Sequence, residues 1–221
     1  MNESRLEELK TGIEQVRNGG LAIVFKNLYS DVPDWDKFVA FTHHKVHQPP
    51  GNIPMMPLEE RVINGVVLRN LFYLMVSSPS DDFFPQITEI METFSDLLGG
   101  EVLPVSAFIN FIGKEKPIAP HCDMRETVYW QCQGTALWKI YKESPINDHN
   151  VGYVQPVAEY LLQPGDVIYV GREVGHSVVT NEPRCAIGFQ YKQDNSRFKE
   201  NHDLVKNHYE SIGVTINEPR Y

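Results

Sequence analysis

PHCDMRETVYWQCQGTALWKIY (120–141) and LLQPGDVIYVGREVGH (161–176) are the two stretches on which the fold turns. In the first, two runs rich in β-branched and aromatic residues flank Gly134, which reads as strand, hairpin turn, strand. In the second, QPGD (163–166) is a turn signal that delivers the strand VIYVG (167–171). Working outward, the same texture continues in VLPVSAFINFIG (102–113), HSVVTNEP (176–183) and RCAIGFQYK (184–192). Short strands recurring about every 8–12 residues predict a sandwich or barrel.

Before residue 102 the periodicity differs. Leu6, Leu9, Ile13 and Val16 recur at helical spacing over 3–18, and Gly19-Gly20 stops that helix. LAIVF (21–25) reads as a buried strand, Asp34 to His47 as a helix, HQPPGNIPMMP (47–57) as a loop, and RVINGVVLRNLFYLMV (61–76) as strand. DDFFPQITEIMETFSDLLGG (81–100) is the clearest helix, ended by two glycines. NHDLVKNHYESIG (201–213) predicts a C-terminal helix. The expected organisation is one domain over 1–221. It has a helical and strand N-terminal cover (1–100), a β-rich core (101–192) and a C-terminal helix (193–221).

The chain has 221 residues, of which 42% are hydrophobic and 22% charged, a composition that supports one sizeable core. The net charge of −9 argues against non-specific binding to nucleic acid or an anionic membrane. The three cysteines, Cys122, Cys132 and Cys185, form neither a disulfide framework nor a CxxC zinc motif. The polar N-terminus has no apolar stretch of a secretory signal, and no run is long enough to span a bilayer. A soluble cytoplasmic protein is the expectation.

Chemistry concentrates at His121, Asp123 and His176. Residues i and i+2 of an extended segment point to the same side, so His121 and Asp123 can face one ion. A jelly roll is expected to bring the distant strand that carries His176 opposite the first. Two imidazoles and one carboxylate on one face leave coordination positions open for co-substrate and O2, the donor set of non-haem Fe(II) oxygenases. His43, His44 and His47 also cluster on a helix, but no carboxylate or cysteine stands beside them. They, and Met55-Met56 in the proline-rich loop, are read as material near the barrel mouth. Tyr153 carries no signal.

The flanking text resembles the JmjC-type and cupin-type Fe(II)/2-oxoglutarate oxygenases, including the asparaginyl and ribosomal-protein hydroxylases. Their pattern is PHxD, a strand, a glycine, then a tryptophan and a tyrosine closing the next strand, and later LxPGDxLYxPxxxxH. Here the later part reads Leu162, Pro164, Gly165, Asp166, Ile168, Tyr169 and His176, and GFQYK (188–192) is similar to the closing core strand. The resemblance covers about residues 105–192. It implies an all-β core with flanking helices, a double-stranded β-helix (jelly roll), with His121, Asp123 and His176 holding Fe(II) and 2-oxoglutarate as co-substrate.

One departure matters. The family usually holds the distal carboxylate of 2-oxoglutarate with a lysine after the glycine turn, where this chain has Ala136. The helping threonine is replaced by Ile118. Lys139 falls on the opposite strand face. A forked guanidinium is the best substitute; Arg184, which shares parity with the inward-facing Gly188 and Gln190 of the closing strand, is the first candidate, and Arg125, two residues past Asp123, the second. Tyr129 and Thr127 share the inward parity of the metal strand and are candidates for hydrogen bonds to the co-substrate. Trp138 also faces inward by parity, where packing is its expected role, and Trp130 is expected to pack outward against a helix.

Three functions follow from these residues. The first is an Fe(II)/2-oxoglutarate oxygenase that hydroxylates, demethylates or desaturates a small molecule, amino acid or peptide. Asp123 speaks against halogenation, which calls for a small residue there. The second, motivated by Ala136 and Ile118, is an Fe(II) oxidase or oxygenase that does not use 2-oxoglutarate. The third is a non-catalytic cupin-like binding module, or an isomerase on the same fold, against which the HxD…H triad counts. The partners expected are substrate and O2, with no nucleic acid and no membrane, and a homodimer is compatible with the reading.

Overall fold

The computed structural model describes residues 1, 3–46, 57–63, 66–74, 83–111, 120–142 and 155–191. Three helices, α1 (Glu3–Arg17), α2 (Trp35–Val46) and α3 (Gln86–Leu98), accompany eleven strands among these residues. The first three strands are β1 (Ala22–Phe25), β2 (Pro57–Ile63) and β3 (Val66–Leu74). The core strands are β4 (Val102–Asn110), β5 (His121–Cys122), β6 (Thr127–Gln133), β7 (Ala136–Tyr141), β8 (Ala158–Leu162), β9 (Val167–Val170), β10 (Gly175–Val179) and β11 (Arg184–Tyr191). Predicted elements at 201–213, together with His47, Met55, Met56, Ile118 and Tyr153, lie outside the described residues.

The strands form two sheets, β1-β9-β6-β11-β4-β3-β2 and β5-β10-β7-β8. From β4 onward the chain distributes its strands between the two, which is the double-stranded β-helix expected from sequence. The N-terminal strands do more than cover this core. β1 pairs antiparallel with β9, placing Ile23 opposite Tyr169, and β3 pairs with β4, so both ends of the large sheet are N-terminal.

Alternation along each strand separates two cores. On β9, Val167 and Tyr169 join the cluster beneath the helices, while Ile168 and Val170 enter the barrel. Trp130 takes the outer face, as expected. It is fully buried, its ring meets Tyr29 edge-on at 6.3 Å, and its Nε1 donates to the Tyr29 carbonyl. The amphipathic helix α3 buries Ile87, Ile90, Phe94 and Leu98 in the same outer cluster. Each such side chain contributes roughly 1.5–3 kcal/mol of transfer free energy. Gly99 ends α3 in the left-handed region, at φ 76°, where its N–H reaches the Ser95 carbonyl.

Two local devices fix the strands that frame the interior. Gly134, at φ 64°, turns β6 into β7 in a conformation that a side chain resists. In the QPGD turn, Asp166 is 3% exposed and fully engaged. It accepts from the Gln163 and Asn27 N–H groups and pairs with Lys26 Nζ at 2.7 Å, tying the turn to the end of β1. No helix among the described residues is long and apolar enough to cross a membrane.

Candidate active site

The barrel interior holds a cavity of about 320 Å³ lined by Phe108, Tyr129, Trp138 and Val178 together with His121, Asp123, His176 and Arg184. The ligating atoms of the three triad residues all lie within 4.8 Å of one another. Among the described residues they are the group of His, Cys, Asp or Glu side chains placed to hold an ion.

The route to this arrangement differs from expectation in one respect. His121 and His176 do not sit on facing strands. β5 and β10 are neighbours in the smaller sheet, and the two histidines are direct antiparallel partners. Cross-strand partners share a face, so one pairing aims both rings inward, with centroids 4.5 Å apart. Asp123 follows just past β5, where its carbonyl accepts the Glu173 N–H at 2.8 Å.

His176 is oriented from behind. The Val174 carbonyl accepts from His176 Nδ1 at 3.0 Å, and that tautomer leaves the Nε2 lone pair available. His176 Nε2 lies 3.8 Å from Asp123 Oδ2. Burial pushes the His176 imidazole toward its neutral, ligating form, with His121 adding to that effect, against the Val174 carbonyl and Asp123. Trp138 stacks on the same ring, with centroids 5.4 Å apart and planes inclined by 26°. Two nitrogens and one oxygen converging beside an open cavity suit a divalent iron with free positions.

The remaining candidates separate cleanly. Arg184 is buried, 4% exposed, at the start of β11 opposite Asn110, and it lines the cavity. Arg125 is exposed and not on the cavity wall, because it sits in the bend between β5 and β6 rather than on a strand. Thr127 is buried but is not part of the lining. Tyr129 lines the cavity, and its hydroxyl donates to Asp123 Oδ2 at 3.2 Å. Burial first, then the Asp123 charge, raise the Tyr129 phenol well above its ordinary range, so it stays protonated and able to donate. Ala136 leaves no cation at the usual lysine position, and Lys139 faces outward to pair with Glu159 at 3.4 Å.

Ser106 and Phe108 also line the cavity and were not anticipated. The alternation Ser106, Phe108, Asn110 along β4 was the available signal: two polar residues of one parity inside an apolar strand. Trp138 does more than fill space, since it both lines the cavity and stacks on His176.

Residues 80–198 match the family model described as the JmjC domain. No curated protein matches the chain. Among solved structures, the ribosomal oxygenase YcfD of Escherichia coli aligns with a TM-score of 0.53 and 12% identity, over 90% of this chain and 55% of that one. The same protein in complex with cobalt and succinic acid aligns with a TM-score of 0.52 and 12% identity, over 90% of this chain and 57% of that one. The non-heme alpha ketoglutarate dependent epimerase SnoN from nogalamycin biosynthesis aligns with a TM-score of 0.55 and 13% identity, over 87% of this chain and 84% of that one. At these identities the likeness is one of fold, and the chain spans about half the length of the ribosomal oxygenase.

Proposed function

The chain belongs to the JmjC domain family, and from that premise we propose that it is an Fe(II)-dependent, 2-oxoglutarate-using oxygenase acting on a small molecule, amino acid or peptide. The observation that carries the reading is the placement of the His121–Asp123–His176 cluster and the buried Arg184 on the wall of one cavity.

His121, Asp123 and His176 would hold the iron. Bound there, the metal would supply the oxidative chemistry, accepting co-substrate and O2 at its open positions. The chain's own residues bind, orient and shield. Arg184 offers a forked cation inside the barrel for the distal carboxylate of 2-oxoglutarate. Without a partner, burying that charge would cost several kcal/mol. Phe108, Trp138 and Val178 give the cavity shared by the triad and the arginine much of its apolar lining. The names of the proteins sharing this fold include an oxygenase and an epimerase, so the fold by itself does not select the outcome at the substrate.

Ala136 favours a second reading, an iron enzyme that draws electrons from its own substrate. One experiment separates the two. The protein is reconstituted anaerobically with Fe(II) and titrated with 2-oxoglutarate while the weak visible charge-transfer band is followed. A saturable band supports the co-substrate. Tight Fe(II) binding with no band would transfer the assignment to the substrate-driven oxidase, and no Fe(II) binding would remove both.

A further inference from the structure

We propose that Tyr129 is a positioning residue for Asp123, holding its carboxylate for the metal rather than binding the co-substrate. The proposal rests on the iron-site reading above and says how that site is kept in shape.

The hydrogen bond is the first observation. Tyr129 Oη donates to Asp123 Oδ2 at 3.2 Å. A phenol has one proton to give, so a hydroxyl donating to Asp123 cannot also donate to a co-substrate carboxylate. Both would-be partners are acceptors only, and the choice is exclusive.

The second observation is how firmly the ring is placed. Tyr129 lies directly across from Gly188 in the β6–β11 pairing. A Cβ at 188 would stand 2.8 Å from Tyr129 Cε1 and 3.0 Å from Phe108 Cε2, so the glycine makes the slot in which the ring lies. Trp138 closes on the same ring at 4.7 Å between centroids, and Phe108 at 5.6 Å. A ring hemmed in this way delivers its hydroxyl to one place.

The third observation is what Asp123 lacks. It stands beyond the end of the two-residue strand β5, where its carbonyl accepts the Glu173 N–H. No strand pairing orients its side chain. The phenol engages Oδ2, the carboxylate oxygen that also stands 3.8 Å from His176 Nε2, and so fixes the carboxylate at the oxygen nearest that ligating nitrogen. Asp123 is thereby supported from behind by Tyr129 as His176 is by the Val174 carbonyl.

The test uses Co(II) alone as the first probe and 2-oxoglutarate at saturating Fe(II) as the second. Tyr129→Phe should weaken Co(II) binding by about 10–100-fold, the usual loss for a group that orients a metal ligand, and should shift the visible Co(II) spectrum. Its 2-oxoglutarate affinity at saturating metal should match the parent's, whereas Arg184→Ala should show the opposite pattern. Gly188→Ala keeps the hydroxyl but displaces the ring, and should reproduce the Tyr129→Phe signature. Thermal melts of the metal-free proteins establish that both variants fold. Parent-like Co(II) affinity and spectrum in Tyr129→Phe would overturn the proposal, as would a selective loss of 2-oxoglutarate binding. A parent protein that binds neither Co(II) nor Fe(II) would instead sink the iron-site reading, and this proposal with it, before any variant is made.

Discussion

Trp138 lies nearly parallel to the His176 imidazole, on the strand next to it, with centroids 5.4 Å apart. The stack and the Val174 carbonyl together leave that ring little rotational freedom. Trp138 is 3% exposed, so Trp138→Ala should cost about 3–5 kcal/mol of stability, read by urea denaturation of the metal-free protein. Trp138→Phe keeps an aromatic face on His176 and should lose much less. Equal losses in the two variants would mean that the ring contact contributes little beyond volume.

The triad variants should separate chemistry from folding. His121→Ala and Asp123→Ala each remove a group that is only half-buried, so unfolding midpoints should stay near the parent value while metal-dependent turnover is abolished. His176→Ala should also abolish turnover but lower the midpoint, because it empties a buried position under Trp138. Parent-like metal binding in all three would remove the basis for the site.

Arg184 and Arg125 make a matched pair of tests. Breaking a buried charge pair is worth roughly 3–5 kcal/mol, so Arg184→Ala should raise the 2-oxoglutarate requirement on the order of a hundredfold or more, with Fe(II) affinity nearly unchanged. Arg184→Lys should recover only part, since a point charge lacks the bidentate fork. Arg125 is exposed, and its replacement by alanine should leave the requirement unaltered. A large effect at Arg125 alone would move the anchor to the bend after Asp123.

The ion pair between Arg17 and Glu126 lies on the far side of the large sheet. Arg17 donates through Nε at 3.0 Å and Nη2 at 2.8 Å, and also reaches the Leu98 carbonyl at 3.2 Å. The Arg17 side chain is 35% exposed, so Arg17→Ala should cost less than a fully buried pair, about 1–3 kcal/mol by chemical denaturation. That loss should shrink when Glu126→Gln is already present, the remainder reflecting the Leu98 carbonyl and the acceptor that glutamine retains.

Alkaline pH should expose the buried thiols. Burial pushes Cys132 and Cys185 well above the usual thiol range. In the unfolded chain a thiol ionises at about pH 8.5. Above that pH the unfolded state holds fewer protons than the folded one, so these thiols contribute stability below pH 8.5 that declines as pH rises. Stability measured from pH 7.5 to 10 should therefore fall, and less steeply in Cys132→Ala/Cys185→Ala than in the parent. In the native protein a thiol reagent should label half-buried Cys122 first. Rapid labelling of all three at pH 7.5 would contradict the burial.

Much of this was legible in short stretches. His121-x-Asp123, the QPGD turn, the stop of α3 at Gly99 and the inward parity of Arg184 depend on neighbours within a few residues, which sequence displays. Partners distant in the chain were not legible. Nothing in LAIVF says that β1 docks beside β9, and nothing in either histidine's context says that they are direct cross-strand partners rather than facing one another across the barrel. The parity of Arg184 put it ahead of Arg125, but the bend at 124–125 that keeps Arg125 exposed and off the cavity wall is not displayed in the sequence. The use of the Tyr129 hydroxyl was hidden for the same reason, since it depends on a missing Cβ on β11, far along the chain.

The Arg17 clasp has a practical corollary for anyone trimming the protein. Its guanidinium joins the last turn of α1 to the end of α3 and to Glu126, three positions beyond Asp123. A fragment begun at β4 would look complete by motif, with both histidines, the aspartate and the arginine aboard. It would lack the tether at the root of the segment that presents Asp123, and the strand that closes the edge of the large sheet beside Tyr169. Expression boundaries drawn around the recognisable motifs would thus yield a scaffold with every candidate ligand and a loosened grip, and the first twenty-five residues belong in any trimmed version of the chain.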